Sequence, residues 1–154
     1  MVKEKLKIPV IAAGGIATGR GMLAAMVLGA DGVQIGSRFV ASNESSAHVN
    51  FKQAVVAAED GDTHLTLKEL APVRLIKNKF YSELQELYNQ HATIEQLKEK
   101  LGRARAKAGM FEGDLENGEL EIGQIAGLIH NIKPAAEIVQ EIVQEYQEIK
   151  KSFC

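Results

Sequence analysis

Ile8-Pro9-Val10-Ile11-Ala12-Ala13-Gly14-Gly15-Ile16, followed by Ala17-Thr18-Gly19-Arg20 and an alanine-rich run to Leu28, decides how this chain is read. Behind it come Gly29-Ala30-Asp31-Gly32-Val33-Gln34-Ile35-Gly36-Ser37-Arg38-Phe39. Ile8 to Ala12 are too few for a helix and include β-branched side chains. They predict a strand buried on both faces, the usual state of a parallel strand. Gly14 and Gly15 end it and free the backbone N–H groups from the hindrance of a Cβ. Thr18 or Gly19 caps a helix expected over Arg20 to Leu28, and Gly29 closes it. Met22, Leu23, Met26 and Val27 give that helix one apolar face toward the sheet. Val33-Gln34-Ile35 predicts a second short strand, ending at Gly36-Ser37. The whole is one βαβ unit whose strands both reach glycine at the same edge of the sheet.

Two glycine-ended parallel strands side by side make a candidate anion site. Backbone N–H groups of Gly14, Gly15 and Ile16 converge with those of Gly36 and Ser37, and the Ser37 hydroxyl adds a donor. In (β/α)8 barrels the loops after the last two strands often hold a ligand's phosphate. Arg38 carries a charge that suits phosphate, although its side chain is free to point away. Gln34, within the strand, either reaches the mouth of such a barrel or faces the core. The competing reading is a βα unit whose glycines only make tight turns, with Ser37 capping the next one.

Ala12-Ala13-Gly14-Gly15-Ile16-Ala17-Thr18-Gly19-Arg20-Gly21 together with Leu28 to Phe39 resembles the 2-nitropropane dioxygenase / nitronate monooxygenase family. The flavin-dependent enoyl-acyl-carrier-protein reductases share the pattern. The similarity continues through Glu44-Ser45-Ser46-Ala47-His48 and recurs at Gly123-Gln124-Ile125-Ala126-Gly127-Leu128-Ile129. It covers the C-terminal half of a family member. The resemblance implies an FMN flavoprotein on a TIM barrel. It implies a cofactor contact at Gly14, Gly15, Ile16, Gln34, Gly36 and Ser37, and a flavin-facing role for Gln124. It also implies that the family's catalytic histidine lies upstream of the Gly14-Gly15 strand, with no counterpart here.

The chain has 154 residues, 45% hydrophobic and 25% charged, with a formal net charge of −2. That composition suits a soluble globular domain. So balanced a charge gives no long-range field for nucleic acid or an anionic membrane. No stretch approaches the roughly 20 apolar residues of a membrane span, and no signal-peptide pattern opens the chain. The single cysteine, Cys154, is the last residue and forms no internal disulfide. It fits a reducing, cytoplasmic setting and is badly placed for a nucleophile. A TIM barrel needs about 250 residues, so a chain of this length is expected to supply part of one.

The expected organisation is α/β. Residues 1–61 form the last two βα units of a (β/α)8 barrel, and residues 62–154 a mainly α-helical C-terminal region that packs as a separate layer. Val2 to Lys7 reads as a helix tail. Ala47 to Ala58 predicts a helix with Phe51, Val55 and Val56 as its apolar side, and Gly61-Asp62 a turn. Short strands are expected at Thr63 to Leu67 and Val73 to Ile76, and a helix at Lys79 to Asn89 presenting Phe80, Leu84 and Leu87. Thr93-Ile94-Glu95-Gln96 is a capping-box pattern opening a helix with Leu97 and Leu101 inside. Lys98, Lys100, Arg103, Arg105 and Lys107 form a basic run without interleaved aromatics. It reads as a solvated helix face in preference to a nucleotide or carrier-protein contact. Gly109 to Gly123 reads as a long ordered loop, and Gly123 to Ile129 as a short apolar helix. Pro134 opens the last helix, striped by Ile138, Val139, Ile142, Val143, Tyr146 and Ile149.

His48, His64, His91 and His130 have no metal-ligand spacing, and no metal is expected. His48 follows the candidate phosphate loops closely enough to be a weak catalytic candidate, with a structural role as its alternative. Three function classes follow. The first is an FMN-dependent oxidoreductase of the nitronate monooxygenase type, or its sister, a flavin-dependent enoyl-ACP reductase using NADH or NADPH. The flavin supplies the electron chemistry and the protein supplies binding and orientation. The second is a non-catalytic flavin- or phosphate-binding half-barrel. The third is a different phosphate-binding barrel resembling IMP dehydrogenase, which would need a cysteine placed unlike Cys154. Expected partners are a small-molecule substrate and either the missing N-terminal barrel half or a second copy, because two parallel strands leave two open edges.

Overall fold

The computed structural model describes residues 2–152, so the reading of Cys154 lies outside the described residues. The chain is mixed α/β. Its elements run α1 (Val2–Lys5), β1 (Ile11–Ala13), α2 (Gly19–Val27), β2 (Gly32–Gln34), α3 (Ser37–Val40), α4 (Val49–Ala57), β3 (Thr63–Thr66) and β4 (Val73–Ile76). They continue with α5 (Lys79–Asn89), α6 (Ile94–Leu101), α7 (Arg105–Met110), a 3-10 helix (Gln124–Leu128) and α8 (Ala135–Ser152). They gather into two compact units, one of Met1–Ser45 with Ile132–Cys154 and one of Ser46–Asn131.

In the first unit β1 and β2 pair in parallel, Ile11 opposite Gly32, Ala12 opposite Val33 and Ala13 opposite Gln34. Asp31 sets this register. Its N–H donates to the Val10 carbonyl at 2.8 Å, and its carboxylate accepts from the Val10 N–H and pairs with Lys3. Thr18 caps α2, its hydroxyl accepting from the Gly21 N–H at 3.1 Å. Gly29, at φ +99°, turns the chain out of the helix.

Within this chain alone the first strand lacks the two-sided cover expected of it in a complete barrel, in line with the two open edges its sequence predicts. Ile8 is 64% and Ile11 53% exposed, and at the end of α2 Val27 and Leu28 are 77% and 86% exposed. The physical reason is that a parallel strand is covered only when helices lie on both faces. Here two strands carry α2 and little else. Apolar composition foretold that the strand wants cover; it did not say what supplies it.

α8 joins this unit by packing on α2. Its stripe turns Ile138 and Ile142 inward, with Tyr146 half-buried. Each buried isoleucine is worth about 1.5–3 kcal/mol. The approach is close: a Cβ on Gly19 would overlap the Ile142 carbonyl and the Tyr146 backbone nitrogen. Compactness therefore groups the last helix with the βαβ unit. The division at residue 61 follows likeness to a barrel and cuts the chain differently.

The second unit is built on a hairpin. β3 and β4 pair antiparallel, Thr63 opposite Ile76 and Thr66 opposite Val73. Residues 120–122 extend it, the Ile76 N–H donating to the Leu120 carbonyl and the Ile122 N–H to the Arg74 carbonyl, both at 3.0 Å. Leu67, Leu75, Phe80, Leu84 and Leu97 form its buried cluster. α5 has the expected bounds, with Asn78 capping it through the Tyr81 N–H. The capping box of α6 is formed in both directions between Thr93 and Gln96.

The basic run does not lie on one helix face. Gly102 and Ala104, at φ +65° and +61°, break it between α6 and α7. Lys100 pairs with Glu83 and Lys107 with Glu112. Arg105 is a structural clamp. Its guanidinium donates to the carbonyls of Leu101, Lys100 and Asn117 and lies 4.5 Å from the Phe80 ring centroid. Gly109 belongs to α7 and is not part of the loop expected from Gly109 to Gly123. Its lack of a Cβ lets the Glu119 carbonyl approach, where a Cβ would meet it at 2.8 Å.

Candidate anion site at the ends of the paired strands

Register brings the two glycine loops together. Ala13 lies opposite Gln34, so Gly14 leaves the sheet beside Ile35 and one residue short of Gly36. Paired strands stand about 4.8 Å apart, so both glycine loops leave the sheet at the same edge. Gly14 and Gly15 take φ of +94° and +69°, conformations that disfavour any side chain. Both are exposed, and a Cβ at either would meet no atom within 4 Å. Ile16 and Ala17 are buried immediately behind them and anchor the far side of the turn.

Gly36 precedes α3 with φ −104° and ψ −68°. It too is exposed, with nothing within 4 Å of a Cβ. Ser37 opens α3 and is partly exposed. Gln34 is exposed at the last position of β2. Arg38 is buried. It donates from Nη1 to the Ala41 carbonyl at 3.5 Å. Burial lowers its guanidinium pKa, and the nearby Glu141 carboxylate opposes that shift. Glu141 belongs to α8 of the same unit.

His48 and Gln124 belong to the second unit. Gln124 is exposed at the first position of the 3-10 helix. His48 caps α4, its Nδ1 accepting from the Asn50 N–H at 3.2 Å, and its own N–H donates to the Met110 carbonyl at 2.8 Å. Reasoning from sequence did not find Glu145. On α8, 126 residues from Gly19, its Oε2 accepts the Gly19 N–H at 2.7 Å, at the start of α2. A glutamate on an amphipathic helix carries no signal that tells such a contact from a solvated charge. Among the described residues no group of three or more histidine, cysteine, aspartate or glutamate side chains is placed to hold a metal. No helix among them is long and apolar enough to cross a membrane.

The family described as nitronate monooxygenase matches residues 1–145. The chain belongs to the nitronate monooxygenase family. A probable nitronate monooxygenase of Staphylococcus saprophyticus is 34% identical over 147 residues, which are 95% of this chain and 41% of that protein. Among solved structures, FabK from Thermotoga maritima is 41% identical with a TM-score of 0.90, over 99% of this chain and 48% of its own. A nitroalkane oxidase from Streptomyces ansochromogenes is 31% identical with a TM-score of 0.76, over 99% of this chain and 43% of its own. The chain thus spans less than half the length of these family relatives. The mixed α/β fold is that of a part of those structures.

Proposed function

We propose that residues 1–61 form the last two βα units of a flavin-binding TIM barrel, and that Gly14-Gly15-Ile16 and Gly36-Ser37 hold the phosphate of FMN. Residues 62–154 are then the C-terminal remainder of the same protein, an FMN-dependent oxidoreductase of the nitronate monooxygenase type. Gly36 carries the reading. Its φ is one any residue adopts, and a Cβ there meets no atom, so neither conformation nor packing asks for glycine. Close approach of a ligand to the backbone does. Gly14 and Gly15 open onto free space in the same way, so the three glycines fit a phosphate that touches main chain only.

When bound, the flavin supplies the electron chemistry. The residues of this chain bind and orient it. Backbone N–H groups of the two loops and the Ser37 hydroxyl would hold the phosphate, with Gln34 at the end of the adjoining strand. Gln124 is proposed for the flavin ring. His48 already serves as a helix cap, and a capping role accounts for the partner of its Nδ1.

Exposure of Ile8, Ile11, Val27 and Leu28 supports a second part of the proposal. The open sheet is completed by the rest of a barrel, from another segment or a second copy. Titration with FMN and with riboflavin, followed by flavin fluorescence, tests the phosphate site. The expected result is tighter binding of FMN. Equal affinity for the two overturns it. Turnover of a nitronate, compared with an enoyl thioester and NADH or NADPH, then separates the two substrate classes.

A further inference from the structure

We propose that Glu145 is a positioning residue for the Gly14-Gly15-Ile16 loop, fixing from α8 the shape the loop presents to phosphate. This inference rests on the phosphate reading above. Two adjacent glycines have more backbone freedom to lose than any other pair. A Gly-Gly turn presents a defined set of N–H donors only when both its ends are held. β1 holds the near end through its pairing with β2. The far end is held at Ile16 and Ala17 by burial and at Gly19 by Glu145.

The contact is built rather than incidental. Gly19 is buried against α8, with Glu145 Cβ 2.8 Å from the place of a Gly19 Cβ. The carboxylate takes the first N–H of α2 at 2.7 Å, while Thr18 takes the third. Arg20 Nε stands 4.0 Å from its other oxygen. A carboxylate at a helix N-terminus is favoured by the exposed N–H groups and the helix dipole. The positive end of α2 is therefore already filled by the chain's own anion. A ligand phosphate is left to the two glycine loops and does not compete for that end.

Glu145→Ala and Glu145→Gln separate geometry from charge, because glutamine keeps an oxygen able to accept the Gly19 N–H. Amide hydrogen exchange over residues 14–21 of the flavin-free 154-residue chain is the first readout, and FMN and riboflavin affinities are the second. In Glu145→Ala, exchange over 14–21 rises about tenfold, FMN binding weakens about five- to tenfold and riboflavin binding is unchanged. Glu145→Gln stays within about twofold of the unsubstituted chain on both readouts. The magnitudes follow from the usual loss of one helix-capping contact.

Unchanged exchange in Glu145→Ala, with the preference for FMN intact, overturns the role of Glu145 alone. Equal weakening of FMN and riboflavin makes the residue merely structural and also overturns it. Tighter FMN binding in both variants makes the carboxylate a repulsive neighbour of the phosphate, the opposite of the proposal. If the unsubstituted chain does not prefer FMN, the phosphate reading fails first, and the role of Glu145 toward phosphate fails with it.

Discussion

The imidazole of His48 lies against Gly113, filling the space a side chain at that position would need. Asn50 Nδ2 ties the same place down, donating to the Gly113 carbonyl at 3.2 Å. Gly113 also sits at φ +82°, so two independent reasons require glycine there. Gly113→Ala is expected to cost about 1–3 kcal/mol, from overlap with the ring and from the left-handed backbone. Urea denaturation of the single variant and of Gly113→Ala with His48→Ala checks this. Removal of the ring should return the overlap part, so the two substitutions should be non-additive.

Gly36→Ala separates ligand approach from folding. The backbone at Gly36 accepts alanine and the space before it is open. Stability should stay within about 0.5 kcal/mol of the unsubstituted chain, or rise slightly as the unfolded chain loses freedom. Affinity for FMN should fall about tenfold or more while affinity for riboflavin holds. A variant that melts normally and binds FMN normally would remove the main support for the phosphate site.

Asp31 predicts how the βαβ unit responds to acid. The hydrogen bond from Lys3, and then that from the Val10 N–H, lower its pKa below the ordinary carboxylate value of about 3.9. A carboxylate with a depressed folded pKa contributes stability that is present above its unfolded value. That contribution is lost as pH falls through the folded one. Melting temperature measured from pH 6 down to pH 2 should fall less steeply in Asp31→Asn. Equal acid slopes would show that this clamp is not felt.

Arg105→Lys tests the clamp of the second unit. Lysine keeps the charge but loses the planar fork that serves three carbonyls at once. A loss of about 1–3 kcal/mol is expected in chemical denaturation, and Arg103→Lys should change little. Similar effects at both positions would return Arg105 to the solvated basic face.

Exposed apolar side chains at Ile8, Ile11, Val27 and Leu28 predict a melting temperature that rises with protein concentration, if copies associate through the open sheet. Light scattering across the same range checks the mass. A constant monomer mass and a constant melting temperature would rule out self-association and leave another barrel segment as the cover.

Much of the local structure was legible because local chemistry decides it. Thr18 and the Thr93–Gln96 pair mark helix starts through their own side chains. The paired glycines mark the turn after β1, whereas the register of the two parallel strands was not read from the sequence. Arg105 was misread because its partners are carbonyls of residues 100, 101 and 117, and periodicity carries no record of such contacts. Glu145 was missed for the same reason at greater distance. The exposure of β1 followed from the open edges of a two-stranded unit, while apolar composition reports a need for cover without naming its source.

The bond from Gly19 to Glu145 also orders events in time. The first unit is made from the two ends of the chain, with Ser46–Asn131 between them, whereas the second unit is continuous in sequence. Contacts that close long loops form slowly, and during synthesis the N-terminal segment emerges first. The contact between α2 and α8 can therefore close only after the intervening Ser46–Asn131 segment and α8 itself have been made. The first unit thus depends on a contact between residues 126 positions apart, whereas the second can form from one continuous segment.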